Sequence, residues 1–162
     1  MNLENKLRAA KSKTDELLQE IKNFESIENN SDDMYQIDVD LFFTLSIYGA
    51  CLGDLFYKRR ELKISNDEEE QMNAWHFANN KAKHETIFEA ISSDEGFGSI
   101  VGQARVGQAT IGTKTGIVWS QLKIKESENY EKYLSGKKIS ITIKEGFGLI
   151  EKYYQKLIEL SS

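Results

Sequence analysis

Asp40-Leu41-Phe42-Phe43-Thr44-Leu45-Ser46-Ile47-Tyr48-Gly49-Ala50-Cys51-Leu52-Gly53-Asp54 is the stretch on which the reading of the fold turns. The thirteen residues between its two aspartates carry no charge. That is short of the about 20 apolar residues needed to cross a bilayer, and it suits a core helix. Leu41, Phe42, Phe43, Leu45, Ile47, Tyr48, Leu52, Leu55 and Phe56 make the helix apolar on most sides, as expected of the central member of a bundle. The helix is expected to run from about Asp32 to Leu62. Lys58, Arg59 and Arg60 return its end to solvent, near the negative end of its dipole. Asp54, isolated in an apolar run, is expected to pair with Lys58 one turn later or to meet His84 between helices.

On the N-terminal side, Leu3, Leu7, Ala10, Thr14, Leu17, Ile21 and Phe24 recur at alternating steps of four and three, the stripe of an amphipathic helix. Coiled-coil pairing fits the same spacing, but Ala10 and Thr14 weaken such a seam, so packing inside a bundle is favoured. Glu28-Asn29-Asn30-Ser31-Asp32-Asp33 separates this helix from the next. On the C-terminal side, Ser65 and Glu68 stand at capping-box spacing and open a third helix expected to reach about Ser92.

Glycines then become frequent. Those at 98, 102, 107, 112 and 116 divide residues 97–125 into short stretches that suit strands and turns, with Ile117 to Lys125 the best strand. In that strand Val118, Ser120, Leu122 and Ile124 are expected to face away from Trp119, Gln121 and Lys123. A short helix from Glu126 to Leu134, ended by Gly136, precedes a last helix from about Ser140 to Leu160. Residues 139–143 alternate β-branched side chains and fit a strand equally well. The expected fold is therefore α+β but predominantly α. One domain over residues 1–162 holds about four main helices in a bundle, with a β-ribbon inserted at 97–125.

A chain of 162 residues with 40% hydrophobic and 29% charged residues is ordinary for one globular domain. A net charge of −5, from 21 Lys and Arg against 26 Asp and Glu, argues against broad attraction to nucleic acid or anionic membrane. Cys51 is the single cysteine, which excludes an intramolecular disulfide and a cysteine-built zinc site. Residues 1–8 lack the apolar core of a signal peptide, so a cytoplasmic protein without membrane association is expected. No cofactor is expected.

Several motif fragments carry no chemistry. Gly107 to Thr115 resembles a phosphate-binding loop, but Thr113 separates the second glycine from Lys114 and no helix follows. Lys114-Thr115-Gly116 and Ser120-Gln121-Leu122-Lys123 stand in the wrong order and too close together for a serine β-lactamase site. His76 and His84, eight residues apart on the expected third helix, lack a carboxylate at metal-ligand spacing, so no metal site is expected.

The segment Trp75-His76-Phe77-Ala78-Asn79-Asn80-Lys81-Ala82-Lys83-His84 resembles the R-x4-6-H region of HEPN-type domains. These are small helical bundles that often serve as metal-independent RNases or as RNA- and nucleotide-associated components of phage defence and toxin-antitoxin systems. Asn80 falls at the polar position and His84 at the histidine, while Asn79 stands where the family has arginine. The resemblance implies His84 and Asn80 as catalytic candidates, with Asn79, Lys81 and Lys83 as ligand-binding ones. Asparagine brings no positive charge to a scissile phosphate, so it further implies a noncatalytic or weakly catalytic module for RNA, a nucleotide or a protein partner.

The alternatives are an active metal-independent endoribonuclease using His84 and a purely structural interaction bundle. On a continuous helix Asn80 and His84 share a face with Phe77, Phe88 and Ile91, where the plainer reading is a partly buried, hydrogen-bonded pair. A homodimer is expected from the stripe of the first helix and from ribbon edges that need covering.

Overall fold

The computed structural model describes residues 2–26, 31–92, 115–121 and 127–161. Helices α1 (Leu3–Ser26), α2 (Ser31–Tyr57), α3 (Arg59–Leu62) and α4 (Asn66–Ala82) are followed by strands β1 (Phe88–Ser92) and β2 (Thr115–Trp119). Helices α5 (Glu128–Tyr133) and α6 (Ile139–Ser161) complete the chain. The fold is thus predominantly α with one small antiparallel sheet, and its four long helices share a single apolar core with the sheet.

The stripe of α1 is spent inside the chain. Ala10, Thr14, Leu17, Ile21 and Phe24 are buried, and α1 packs on α2 and α6. The two residues that weaken a coiled-coil seam have a tertiary purpose. Small Ala10 and Thr14 leave room for Tyr48 of α2, whose hydroxyl lies 2.8 Å from Thr14 Oγ1 and donates to the Ile143 carbonyl of α6 at 3.0 Å. One phenol therefore joins three helices, and its burial raises its pKa above the ordinary tyrosine value.

The local capping box is also a tertiary clamp. Ser65 Oγ accepts from the Glu68 amide, and Glu68 accepts from Lys152 Nζ at 2.5 Å and Tyr153 OH at 2.6 Å, both from α6. Lys152 first, then Ser65 and Tyr153, push the Glu68 carboxyl down to about 2. A depressed carboxyl stabilises the fold above its ordinary value of 4.5, and that contribution is lost as pH falls toward 2. The full shift would be worth about 3 kcal/mol. Solvent at this partly exposed site trims it to about 1–2 kcal/mol. Glu68→Gln should accordingly flatten the loss of melting temperature between pH 5 and pH 2, and an unchanged acid slope would refute the clamp.

Two sequence expectations require correction, and one open choice is settled. First, the third helix stops at Ala82, and residues 88–92 form β1, paired antiparallel with β2 in the register Phe88↔Trp119 to Ser92↔Thr115. Phe88 and Ile91 suit either a helix or a strand locally, and long-range pairing decides. The ribbon consequently begins before 97, while the rest of the expected one, 97–114 and 122–125, lies outside the described residues. Second, the strand expected from Ile117 to Lys125 begins at Thr115 and ends at Trp119, and burial of both Val118 and Trp119 shows that its two faces are covered. The far edge of β2 is covered by Gly136–Lys138, through Gly136 N–H to Trp119 O and Trp119 N–H to Lys137 O. The choice left open at residues 139–143 falls to helix, as α6 begins at Ile139. Gly136 ends the α5 turn with φ of +69°.

Edge-on ring contacts carry the core from α2 across α4 to the sheet: Tyr48 with Trp75, Trp75 with Trp119, and Trp119 with Tyr130. Trp119 Nε1 donates to Thr142 Oγ1 at 2.7 Å and so ties the sheet to α6.

Candidate functional site

The segment that resembles the HEPN motif is divided by the end of α4. Trp75 and Asn79 point inward and are buried, whereas His76 and Asn80 are exposed. Lys83 caps the helix, and His84 lies in the turn beyond it, exposed, its backbone N–H bonded to Lys81 O. Asn80 Oδ1 accepts from Lys83 Nζ at 3.3 Å, and Lys81 pairs with Glu85 at 2.6 Å. Among the described residues no hydrogen bond or ion pair reaches the His84 imidazole. The shared face with Phe88 and Ile91 does not exist, since both belong to β1.

The plainer picture of this pair, buried and hydrogen-bonded within the bundle, does not hold, since both residues are exposed. Among the described residues no side chain orients the His84 imidazole. Asn79, an expected ligand-binding residue, has its Oδ1 buried without a hydrogen-bond partner among the described residues. Its amide lies against Gly49, where a Cβ would stand 2.3 Å from Nδ2. Glycine at 49 is what lets α4 approach α2 at this point. We expect His84→Ala to leave the unfolding free energy within about 0.5 kcal/mol of wild type, as for other exposed positions. A loss of about 1–3 kcal/mol in thermal unfolding would restore a structural role.

Asp54 meets neither Lys58 nor His84. It accepts from Lys6 Nζ of α1 at 2.6 Å and from the Tyr154 hydroxyl of α6, while Lys58 pairs with Glu61. The ends of α1 and α6 converge on this side of α2, so the partners come from distant sequence. Cys51 beside them is buried, and burial pushes its thiol up to about 11, which suppresses the thiolate needed for nucleophilic chemistry.

The feature that sequence reasoning missed lies on α2. Its inner face, including Leu41, Leu45, Tyr48, Leu52 and Leu55, packs on α1, α4 and α6. The opposite face is apolar too, and among the described residues it stands exposed. Tyr57 is 85% exposed, Tyr35 72%, Phe43 50% and Phe42 37%. Between these rings lie Val39, Ser46 and Gly49, half-buried, and Ala50 and Gly53, exposed. At 3.6 residues per turn all nine positions fall on an arc of about 120°. No charged residue occurs on it, and the half-buried Asp38 and Asp54 flank it on either side.

The expected central helix, apolar on most sides, is thus central through its inner face, and the described residues leave its outer face exposed. The signal was available as a second stripe, Tyr35, Val39, Phe42, Ser46, Ala50, Gly53 and Tyr57, at helical spacing. Met34–Tyr57 also has the length and composition of a membrane span, with mean hydropathy 1.4, although its inner face is committed to the bundle. No family model matches the chain, and neither a curated protein nor a solved structure matches it.

Proposed function

We propose that this protein is a noncatalytic, HEPN-like binding module that works through a protein partner docked on the outer face of α2. The observation that carries this reading is the uncharged, ring-bearing exposed face from Tyr35 to Tyr57. A monomer's largest apolar patch is typically about 300–600 Å², and patches at or above that size mark interaction sites. Rings flanking small residues offer the anchors and pockets from which protein interfaces draw most of their energy. The net charge of −5 favours a protein over a nucleic acid, and a role in phage defence or a toxin-antitoxin pair remains part of the proposal.

RNA cleavage is the second reading, supported by the exposure of His84 next to Lys83. That no side chain among the described residues orients the imidazole weighs against it.

Both readings are tested by a benzophenone amino acid placed at Phe43, with Leu160 on α6 as the exposed control. Irradiation in the native cell should give a protein adduct of defined mass from position 43 and none from 160. An absence of protein adducts from positions 35, 43 and 57 alike would overturn the proposal. So would metal-independent cleavage of single-stranded RNA by the purified chain, lost in a folded His84→Ala variant.

A further inference from the structure

We infer that the occupant of the α2 face is a second copy of this chain, with the two α2 helices antiparallel about a twofold axis at Ser46. The inference rests on the reading of that face as a protein-docking surface. The pattern of side-chain sizes is self-complementary under this operation. A twofold at Ser46 sets Phe43 against the partner's Ala50, with Phe42 beside it toward the edge where Asn79 of α4 fills the Cβ side of Gly49. Val39 then meets the partner's Gly53, and Tyr35 lies beside the partner's Tyr57. Phe43 and Val39 thus each face a small, exposed residue of the partner, the condition for close helix packing. A parallel pair would instead put Phe42 on Phe42 and glycine on glycine, with overlap at one level and a void at the next.

Area points the same way. A buried aromatic ring covers roughly 200 Å², so the exposed fractions of the four rings offer roughly 500 Å² per protomer. The intervening residues, along a face about 33 Å long, carry the total toward the about 800 Å² per partner of a standard interface. Polar cost at the centre is small, because Ser46 Oγ already donates to the Phe42 carbonyl at 2.8 Å. An isologous contact of this kind closes on itself, leaving no second copy of the face open to further association. A lipid surface fits less well, because interfacial helices carry an excess of Lys and Arg beside their apolar face, whereas this one is flanked by Asp38 and by the Asp54–Lys6 pair.

Sedimentation velocity on the full-length wild type, between about 1 and 100 μM, should show a dimer. Ala50→Arg alters an exposed helical position, so it should keep the melting temperature while raising the dissociation constant more than about 100-fold, by burying an unpaired charge. Under mild oxidation Ser46→Cys should link to itself. Tyr57→Cys should link only when mixed with Tyr35→Cys, and the native Cys51 is buried away from the reaction.

A wild type that stays monomeric throughout overturns the inference, as does a dimer indifferent to Ala50→Arg. Self-linking of Tyr57→Cys overturns the antiparallel arrangement. Binding of the monomer to neutral phosphatidylcholine vesicles, abolished by Ala50→Arg, would assign the face to a membrane instead. A monomer whose Phe43 position nevertheless gives an adduct with a different protein would remove the second copy and leave the docking surface standing.

Discussion

Replacing Trp75 with alanine should lower the unfolding free energy by about 3–5 kcal/mol, the range for deleting a buried aromatic side chain. Domains of this size have about 5–15 kcal/mol in total, so the variant should be close to unfolded at physiological temperature. The expectation follows from the position of Trp75 rather than from its size alone. It is buried on α4, with edge contacts to Tyr48 on α2 and Trp119 on β2. Its loss opens a cavity where three elements meet, and none can close it without leaving another contact. Part of the cost is offset, since Trp75 Nε1 is buried without an acceptor among the described residues. Trp75→Phe should therefore lose less than the change in volume alone suggests. Chemical denaturation measures both, and a Trp75→Ala loss below about 1 kcal/mol would show that the ring is not the centre of the core.

Gly146→Ala is the second large effect expected, and its sign departs from what helix propensity predicts. In an exposed helix the change would stabilise by about 1 kcal/mol. Here a Cβ would lie 2.6 Å from both Cε2 and Cζ2 of Trp75. The indole is enclosed on its other sides, so overpacking of about 1–3 kcal/mol or more should outweigh the helical gain. Gly148, two residues on, has nothing within 4 Å of its added Cβ and serves as the internal control. Gly148→Ala should be neutral or stabilising. A double-mutant cycle sharpens the test: once Trp75 is alanine, Gly146→Ala should cease to destabilise. Additive losses would mean that the glycine is needed for some reason other than the ring.

Both predictions bear on the candidate interface, because the edge contact between Tyr48 and Trp75 helps to fix α2 from its inner side. A helix held by a rigid core can present its outer face as a preformed surface, and a preformed surface loses less entropy on association.

Much of this was legible in the sequence, where the forces are local. The periodicity of residues 3–24, the apolar run from Leu41 to Gly53, the capping box at Ser65 and Glu68 and the turn at Gly136 each report an interaction spanning a few residues. The corresponding elements are where those signals put them. Residues 85–92 were misread because a few apolar residues in a short segment fit two periods, and the choice falls to β2, more than twenty residues further along. Asp54 was misread for the same reason: its partners, Lys6 and Tyr154, are 48 and 100 residues away.

The candidate site divides along the same line. A pattern in the sequence could nominate Asn79, Asn80 and His84, yet it could not tell that α4 ends at Ala82 and parts them into a buried amide and an exposed turn. Composition likewise fixed that α2 is apolar on nearly every side, since hydropathy belongs to the residues themselves. Which of those sides the protein covers with its own chain is settled only when α1, α4 and α6 take their places, because burial is a property of neighbours brought together from across the sequence.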